Sequence, residues 1–416
     1  MDSVLEYVDL FMKIVILFIC TVYLYNAIIN LVKDKKVIQY YFYLLFYFFY
    51  IFPIMLQLCF SNYEYITFWR VNEAMNHAVP NIMYDFFVLI FATVIMKTGR
   101  RVKIEKYKLF LANNKLIIQV CTIIIVISFI ATVTITGFTS LFSFGYAYMS
   151  DIDINESLTG CGVIAFLILL GYKRFISKIR IIFMTILVIG IVWLVGKRYI
   201  IAETLIMSIY ILSMVGSIKG KQFLKYLFFG GIFVIVFCVV YGFYFKDNLT
   251  SIVEYFMVDM SRQYTLVYQF YCDIIGKNIS VEQFDAILWL LGCWIPRSIW
   301  PNKPLPFVNQ LTYSMVSSSN IPSEVNMGWA TTCGIFSDLF DSFSILGLVL
   351  GIGLFVKLFR VIQNTSKPHY KVLFMYLTIR LLTVQMSSAI VQIILMFAII
   401  GLCDKLGKNE FKSVEC

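Results

Sequence analysis

Charge is scarce in this chain. Only 14% of its 416 residues are Asp, Glu, Lys or Arg, whereas 60% are hydrophobic, and an ordinary soluble domain is nearer half apolar. That balance excludes a water-soluble globular protein. Histidine is scarcer still, with two in the whole chain, His77 and His369. They fall on opposite faces of the topology that the apolar runs predict, so no metal site and no cofactor is expected. The ten cysteines stand singly, without a C-x-x-C pair, and read as small apolar fillers. Cys272, Cys293 and Cys333 share one loop, but their spacing implies no bridge. Internal repeats, low-complexity tracts and domain linkers are also missing, which leaves one membrane domain over 1–416. The first residues carry Asp2, Glu6 and Asp9 rather than a basic start, and no small-residue cleavage pattern comes after them, so the first helix is expected to stay as an anchor.

What the chain does have is a succession of apolar runs. Crossing a hydrocarbon core of roughly 30 Å as a helix takes about 20 residues. The runs 10–32, 38–60, 81–97, 115–136, 157–172, 179–196, 199–217, 224–245, 341–359, 372–386 and 388–403 predict an all-α polytopic membrane protein with about eleven crossings, ten to twelve in range. Lysine and arginine in short connections mark the cytoplasmic side. They cluster in every second connection: Lys33 to Lys36, Arg100 to Lys108, Lys173 to Arg180, Lys219 to Lys225 and Lys357 to Lys371. The alternation predicts an outer amino terminus and a cytoplasmic carboxyl terminus. The net charge of +10 is mostly this orientation signal together with contact to anionic membrane lipid. It is no sign of nucleic acid.

The connections are unequal. Two outer ones are about 20 residues long, but the segment 246–340 between the eighth and ninth runs is far longer, and long loops of this kind are usually functional. Its first part, SIVEYFMVDMSRQYTLVYQFYCDII, predicts a helix lying in the interface with Glu254, Asp259 and Arg262 on its wetter side. FDAILWLLGCWI is too short to span and predicts an interfacial or re-entrant piece. Next comes IPRSIWPNKP, where Pro296, Pro301 and Pro304 stiffen the backbone around Arg297 and Lys303. Those cations either touch lipid phosphates in a belt anchored by Trp294 and Trp300, or hold an anionic ligand.

Other cations stand against the basic-inside pattern. Lys197 and Arg198 fill a two-residue outer break in GKRYIIAE, either snorkelling to the interface or meeting a diphosphate or acidic sugar. Glu203 lies about 7 Å deeper along the helix, where it would neutralise Arg198. Arg380 sits roughly 13 Å into the bilayer. A charge there costs at least ~2.5 kcal/mol, so it requires a salt bridge or a place at the bottom of an outward-facing cavity. Asp151 and Asp153 read as ordinary loop acids, and Gly347 with Gly351 as a helix-packing pair.

With Gly196 and Arg198, the run Pro296, Arg297, Pro301, Lys303 and Pro304, and the glycine-containing stretch from Gly328 to Gly347, the chain resembles the oligosaccharide repeat-unit polymerases, the Wzy-type enzymes of O-antigen and capsule synthesis. Residue-level likeness covers about 60 positions. The resemblance implies a metal-independent glycosyltransferase of the bacterial inner membrane. Its substrates would be undecaprenyl-diphosphate-linked oligosaccharides, extended into lipopolysaccharide O-antigen, capsule or exopolysaccharide beside a flippase and a chain-length regulator. Charge on the departing diphosphate then calls for Arg297, Arg198 and Arg380 as catalytic residues, and the acceptor needs a base, for which Glu324 beside the basic turn is the first candidate and Asp259 the second. Lys303, Arg262, Lys197 and Trp300 would bind substrate. Two departures matter. The loop 246–340 has no histidine, unlike the related ligases, and no arginine with a glycine ten residues on. The alternative is a lipid-linked oligosaccharide flippase, which would not need a long outer loop with a rigid basic turn. A membrane acyltransferase would carry a histidine in its early helices. Ser298→Cys, inside the basic turn, should react with a membrane-impermeant maleimide added to intact cells; reaction only after the cytoplasm is opened would invert the map.

Overall fold

The computed structural model of the chain describes residues 2–412 except 36, 61–63, 67, 101–113, 143–155, 197, 246–252, 254, 281, 283, 293–294, 318–330 and 385–386. All secondary structure among the described residues is helical. The long helices are α1 (Asp2–Val32), α2 (Ile38–Phe46) joined through a π-helical turn (Tyr47–Ile51) to α3 (Phe52–Cys59), then, after the short α4 (Trp69–Asn76), α5 (Ala78–Arg100) and α6 (Lys115–Thr136). They continue with α7 (Glu156–Gly171), α8 (Lys178–Val195), α9 (Arg198–Met214) and α10 (Gly220–Phe245). Three short helices come next: α11 (Gln263–Ile274), α12 (Asp285–Gly292) and α13 (Phe307–Val316). The chain closes with α14 (Ile335–Asn364), α15 (Pro368–Thr383) and α16 (Ser387–Lys412).

Every apolar run of the sequence falls on one of these long helices. Among the described residues, six spans are long and apolar enough to cross a membrane: Val4–Val32, Ile38–Cys59, Ala78–Arg100, Lys115–Thr136, Lys178–Val195 and Ile335–Asn364. Leu158–Gly171 and Ile200–Met214 are apolar but shorter. The molecule is a helical membrane protein. Its large exposed side chains lie in rows along the long helices, such as Phe11, Phe18 and Tyr25 on α1 and Ile182, Ile186 and Ile189 on α8. Patches of that extent suit lipid better than water. By contrast α7 is apolar all round, and from Thr159 to Gly171 it is buried among its neighbours, as such a helix must be. It packs against α6, α8, α9, α15 and α16, and so forms the centre of the bundle.

Connections assigned to one side of the membrane touch one another. Asp34 accepts from the amide of Gly220 (2.9 Å), Arg174 donates to the carbonyl of Val215 (2.9 Å), and Gln363 donates to Gln39 (2.6 Å). At the other end, Trp69 and Arg70 of α4 donate to the carbonyls of Val316 (2.9 Å) and Ser317 (2.6 Å). These are end carbonyls of α13, which have no partner inside their own helix. The end of α13 is therefore tied to the connection between α3 and α5.

Two expectations about that segment change. Residues 263–272 of α11 are buried throughout, packed against α4, α5 and α14, so the helix is a core element and not one lying in the interface. Arg262, placed on its wetter side by the sequence, is only 4% exposed. The reason is that its partners are backbone carbonyls from distant elements, which a local pattern cannot show. The π turn supplies the first. Pro53 has no N–H, so the carbonyl of Phe49, four residues earlier, loses its ordinary helical donor. The amide of Arg262 fills the vacancy at 3.0 Å. A histidine also lies within a helix, since His369 stands in the first turn of α15.

The second change concerns α14. At Ser344 the backbone turns to φ 49° and ψ −137°, and the limb 335–343 folds back on the longer limb that begins at residue 345. A Cβ on Gly347 would sit 2.0 Å from the carbonyl oxygen of Leu339, and one on Gly351 would sit 2.6 Å from the ring of Phe336. The G-x-x-x-G pair is helix packing, as its sequence suggested, but against its own re-entrant limb. Gly347→Ala should lower stability by ~1–3 kcal/mol, because a backbone carbonyl must move. Gly353, with nothing within 4 Å of its Cβ position, should accept alanine with a change of about 1 kcal/mol or less in the favourable direction. Thermal melting of the two detergent-solubilised variants checks this; equal effects would contradict the hairpin.

Candidate functional site

The structure gathers three of the charges singled out by sequence into one buried network. From the Phe49 carbonyl the chain runs into Arg262, whose guanidinium lies over the Phe49 ring, 5.3 Å from its centroid. Arg262 Nε and Nη2 then donate to the carbonyl of Thr383 at 3.0 and 2.6 Å. Thr383 ends α15, where carbonyls are orphaned and the helix dipole is negative, so a cation is favoured there. The Thr383 hydroxyl donates to Glu203 Oε1 at 2.9 Å. Glu203 Oε2 in turn meets Arg380 Nε at 2.9 Å, and Arg380 Nε also lies 3.0 Å from the hydroxyl of Tyr376, one turn back.

Each element contributes for a local reason. The pairing of Arg380 with Thr383 comes from spacing, since residues three apart share a helix face. Glu203 reaches them from α9, whose start is fixed by Gly196, in the left-handed region at φ 68° and capping α8. Glu203 thus pairs with Arg380, while the contact with Arg198 expected from sequence falls on a side chain outside the described residues. The side chain of Arg198, the whole of Lys197, Glu324 and the side chain of Asp259 lie outside the described residues.

The basic turn is a separate construction. Arg297 donates through Nη1 to the carbonyl of Lys303 (2.9 Å) and through Nη2 to that of Pro304 (3.3 Å). Lys303 answers by donating to the carbonyl of Ile295 (2.8 Å), with its ammonium 4.5 Å from the centroid of the Trp289 ring. Prolines explain the pattern. They leave backbone carbonyls without the partners a regular helix or sheet would supply, and the two cations fill that need. Lys303 is buried at 7% exposure, so it serves the loop's own backbone. Arg297 stays exposed and uses two of the five donors a guanidinium carries. Trp300 is half-buried against α12, where a Cβ on Gly292 would lie 2.3 Å from its ring.

Among the described residues the buried network holds two guanidinium groups and one carboxylate. Such a group is stable only while every member keeps its partner. Compared with protein-family models, with curated proteins and with solved structures, the chain gives no significant match. Glu203→Gln should cost about 3–5 kcal/mol, the loss typical of a buried charge deprived of its counter-ion. Adding Arg380→Met to that variant should return much of it, read as the thermal midpoint of the purified protein. A double variant no more stable than the single one would show that the pair is not the unit.

Proposed function

We propose that this protein extends a bacterial glycan at the outer face of the cytoplasmic membrane, spanning it about eleven times with the amino terminus outside. In this reading it transfers the growing chain from one undecaprenyl diphosphate carrier to a new carrier-linked repeat unit, as O-antigen, capsule and exopolysaccharide polymerases do. The acceptor sugar's hydroxyl attacks the donor's anomeric carbon, its proton passes to a base, and the bond to the lipid diphosphate breaks. Negative charge then grows on the leaving diphosphate and has to be met by fixed donors.

The observation that carries the reading is Arg297. Two carbonyls hold its guanidinium in place, it remains exposed, and its unused donors have the planar fork that suits phosphate oxygens. Arg198, at the first turn of α9, is proposed as the second phosphate contact. Arg262 and Arg380 act in this reading as positioning residues that join the loop to α9 and α15. Glu324 remains the proposed base. A flippase and a chain-length regulator of the same pathway are the proposed partners.

Arg297→Ala should leave the protein in the membrane at normal amount while surface glycan falls to single repeat units, and Arg297→Lys should restore only part of the chain length. Long chains at wild-type amount in Arg297→Ala would remove its role. Deletion of the gene should leave carrier-linked units on the outer leaflet. Their accumulation on the inner leaflet would make the protein a flippase instead.

A further inference from the structure

A cavity of about 540 Å³ opens between α11 with the turn after it and the hairpin of α14, within the usual range of small-ligand sites. Its two walls are tied together: Ser280 donates to Asp341, and Ser344 donates to Asp273 at 3.4 Å. Among the described residues, two polar side chains in the lining find no partner. Gln269 is 1% exposed with neither its amide nitrogen nor its amide oxygen hydrogen-bonded, and the buried hydroxyl of Ser342 is likewise unbonded. Leaving such groups unmet costs ~1–3 kcal/mol each, an expense that a ligand with its own donors and acceptors would remove.

The rest of the lining defines that ligand. Asp273, Glu282 and Asp341 set three carboxylates against the single cation Lys277, whose ammonium is pushed below the usual lysine range by burial. The balance disfavours an anion, so the cavity is a poor place for a diphosphate. Among the described residues no group of His, Cys, Asp or Glu is arranged to hold a metal ion. Phe284 and Phe343, with ring centroids 5.4 Å apart, add an aromatic wall. Both walls are also strained, since Phe284 and Ser344 have φ of 73° and 49°, a conformation that non-glycine residues adopt rarely and chiefly where function holds them. A surface offering carboxylates, an amide, hydroxyls and aromatic faces together suits a molecule that is polar at its edges and C–H at its faces.

We infer that this cavity binds a neutral saccharide, with Gln269, Ser342 and Asp341 taking its hydroxyls and the Phe284–Phe343 wall taking a ring face. The inference deepens the polymerase reading and rests on it for the source of the sugar, a carrier-linked unit whose diphosphate lies outside the cavity.

The test uses the full chain in detergent and saturation-transfer NMR with methyl glycosides of a hexose, an N-acetylhexosamine and a hexuronic acid. At least one neutral glycoside should bind saturably and the hexuronate at least about ten-fold more weakly, because its carboxylate meets three others. Gln269→Leu should weaken the neutral glycoside about ten-fold, as should Asp341→Asn or Ser342→Ala if the leucine variant does not fold. Gly353→Ala, outside the cavity lining and with open space at its Cβ position, should bind the glycoside as the wild type does. No saturable binding of either neutral glycoside to the wild type, or binding unchanged in all three cavity variants, overturns the inference. Since binding is read without polymerisation, glycoside binding in a protein whose deletion leaves glycan chains long would sink the polymerase reading and keep the site.

Discussion

One missing hydrogen carries much of this architecture. Pro53 cannot donate to the carbonyl of Phe49, and a bare carbonyl inside a membrane protein costs several kcal/mol. The amide of Arg262 meets it, which fixes where the segment after α10 re-enters the bundle. With its backbone thus placed, the guanidinium of Arg262 reaches the orphaned end of α15, and through Thr383 the same contact extends to Glu203 on α9. Helices distant in sequence are held by groups that have nowhere else to bond. Proline removes a donor in one helix, and the structure answers with a backbone amide from a distant segment.

The same logic recurs in the basic turn, where prolines again leave carbonyls that Arg297 and Lys303 satisfy. Arg262, Arg297 and Lys303 are thus first of all backbone partners. Only where one is anchored and still exposed, as Arg297 is, does it have donors to offer a ligand. This separates the cationic turn, suited to phosphate, from the acidic cavity beneath the α14 hairpin, suited to a sugar. A lipid-linked saccharide carries both chemistries in one molecule, with the charges at one end and the hydroxyls at the other.

The sequence made the long helices legible because lipid imposes one rule on every exposed face: about 20 apolar residues per crossing. It also singled out Arg380 as needing a partner, since a charge at that depth has few alternatives. It did not identify the partner, because Glu203 stands 177 positions away in the chain and a carboxylate near Arg198 looked sufficient. Arg262 was misplaced for a related reason: its partners are carbonyls, which every residue has and no pattern marks. The hairpin at Ser344 was equally hidden. No proline or glycine stands at the turn itself, and only Gly347 and Gly351 hinted that something passes close. Gln269 gave no signal, since a glutamine within an amphipathic stretch ordinarily faces water.

The fold-back at Ser344 also ties the cavity to the bilayer around the protein. Residues 345–364 alone reach roughly 30 Å as a helix, enough to cross a typical bilayer, so the limb 335–343 enters and leaves on a single side. Its tip and the cavity wall are the same residues. Bilayer thickness acts on a membrane helix through small tilts and shifts, and here any such shift of α14 would move one wall of the cavity against the other. The lipid around the protein thereby becomes a term in the shape of that cavity.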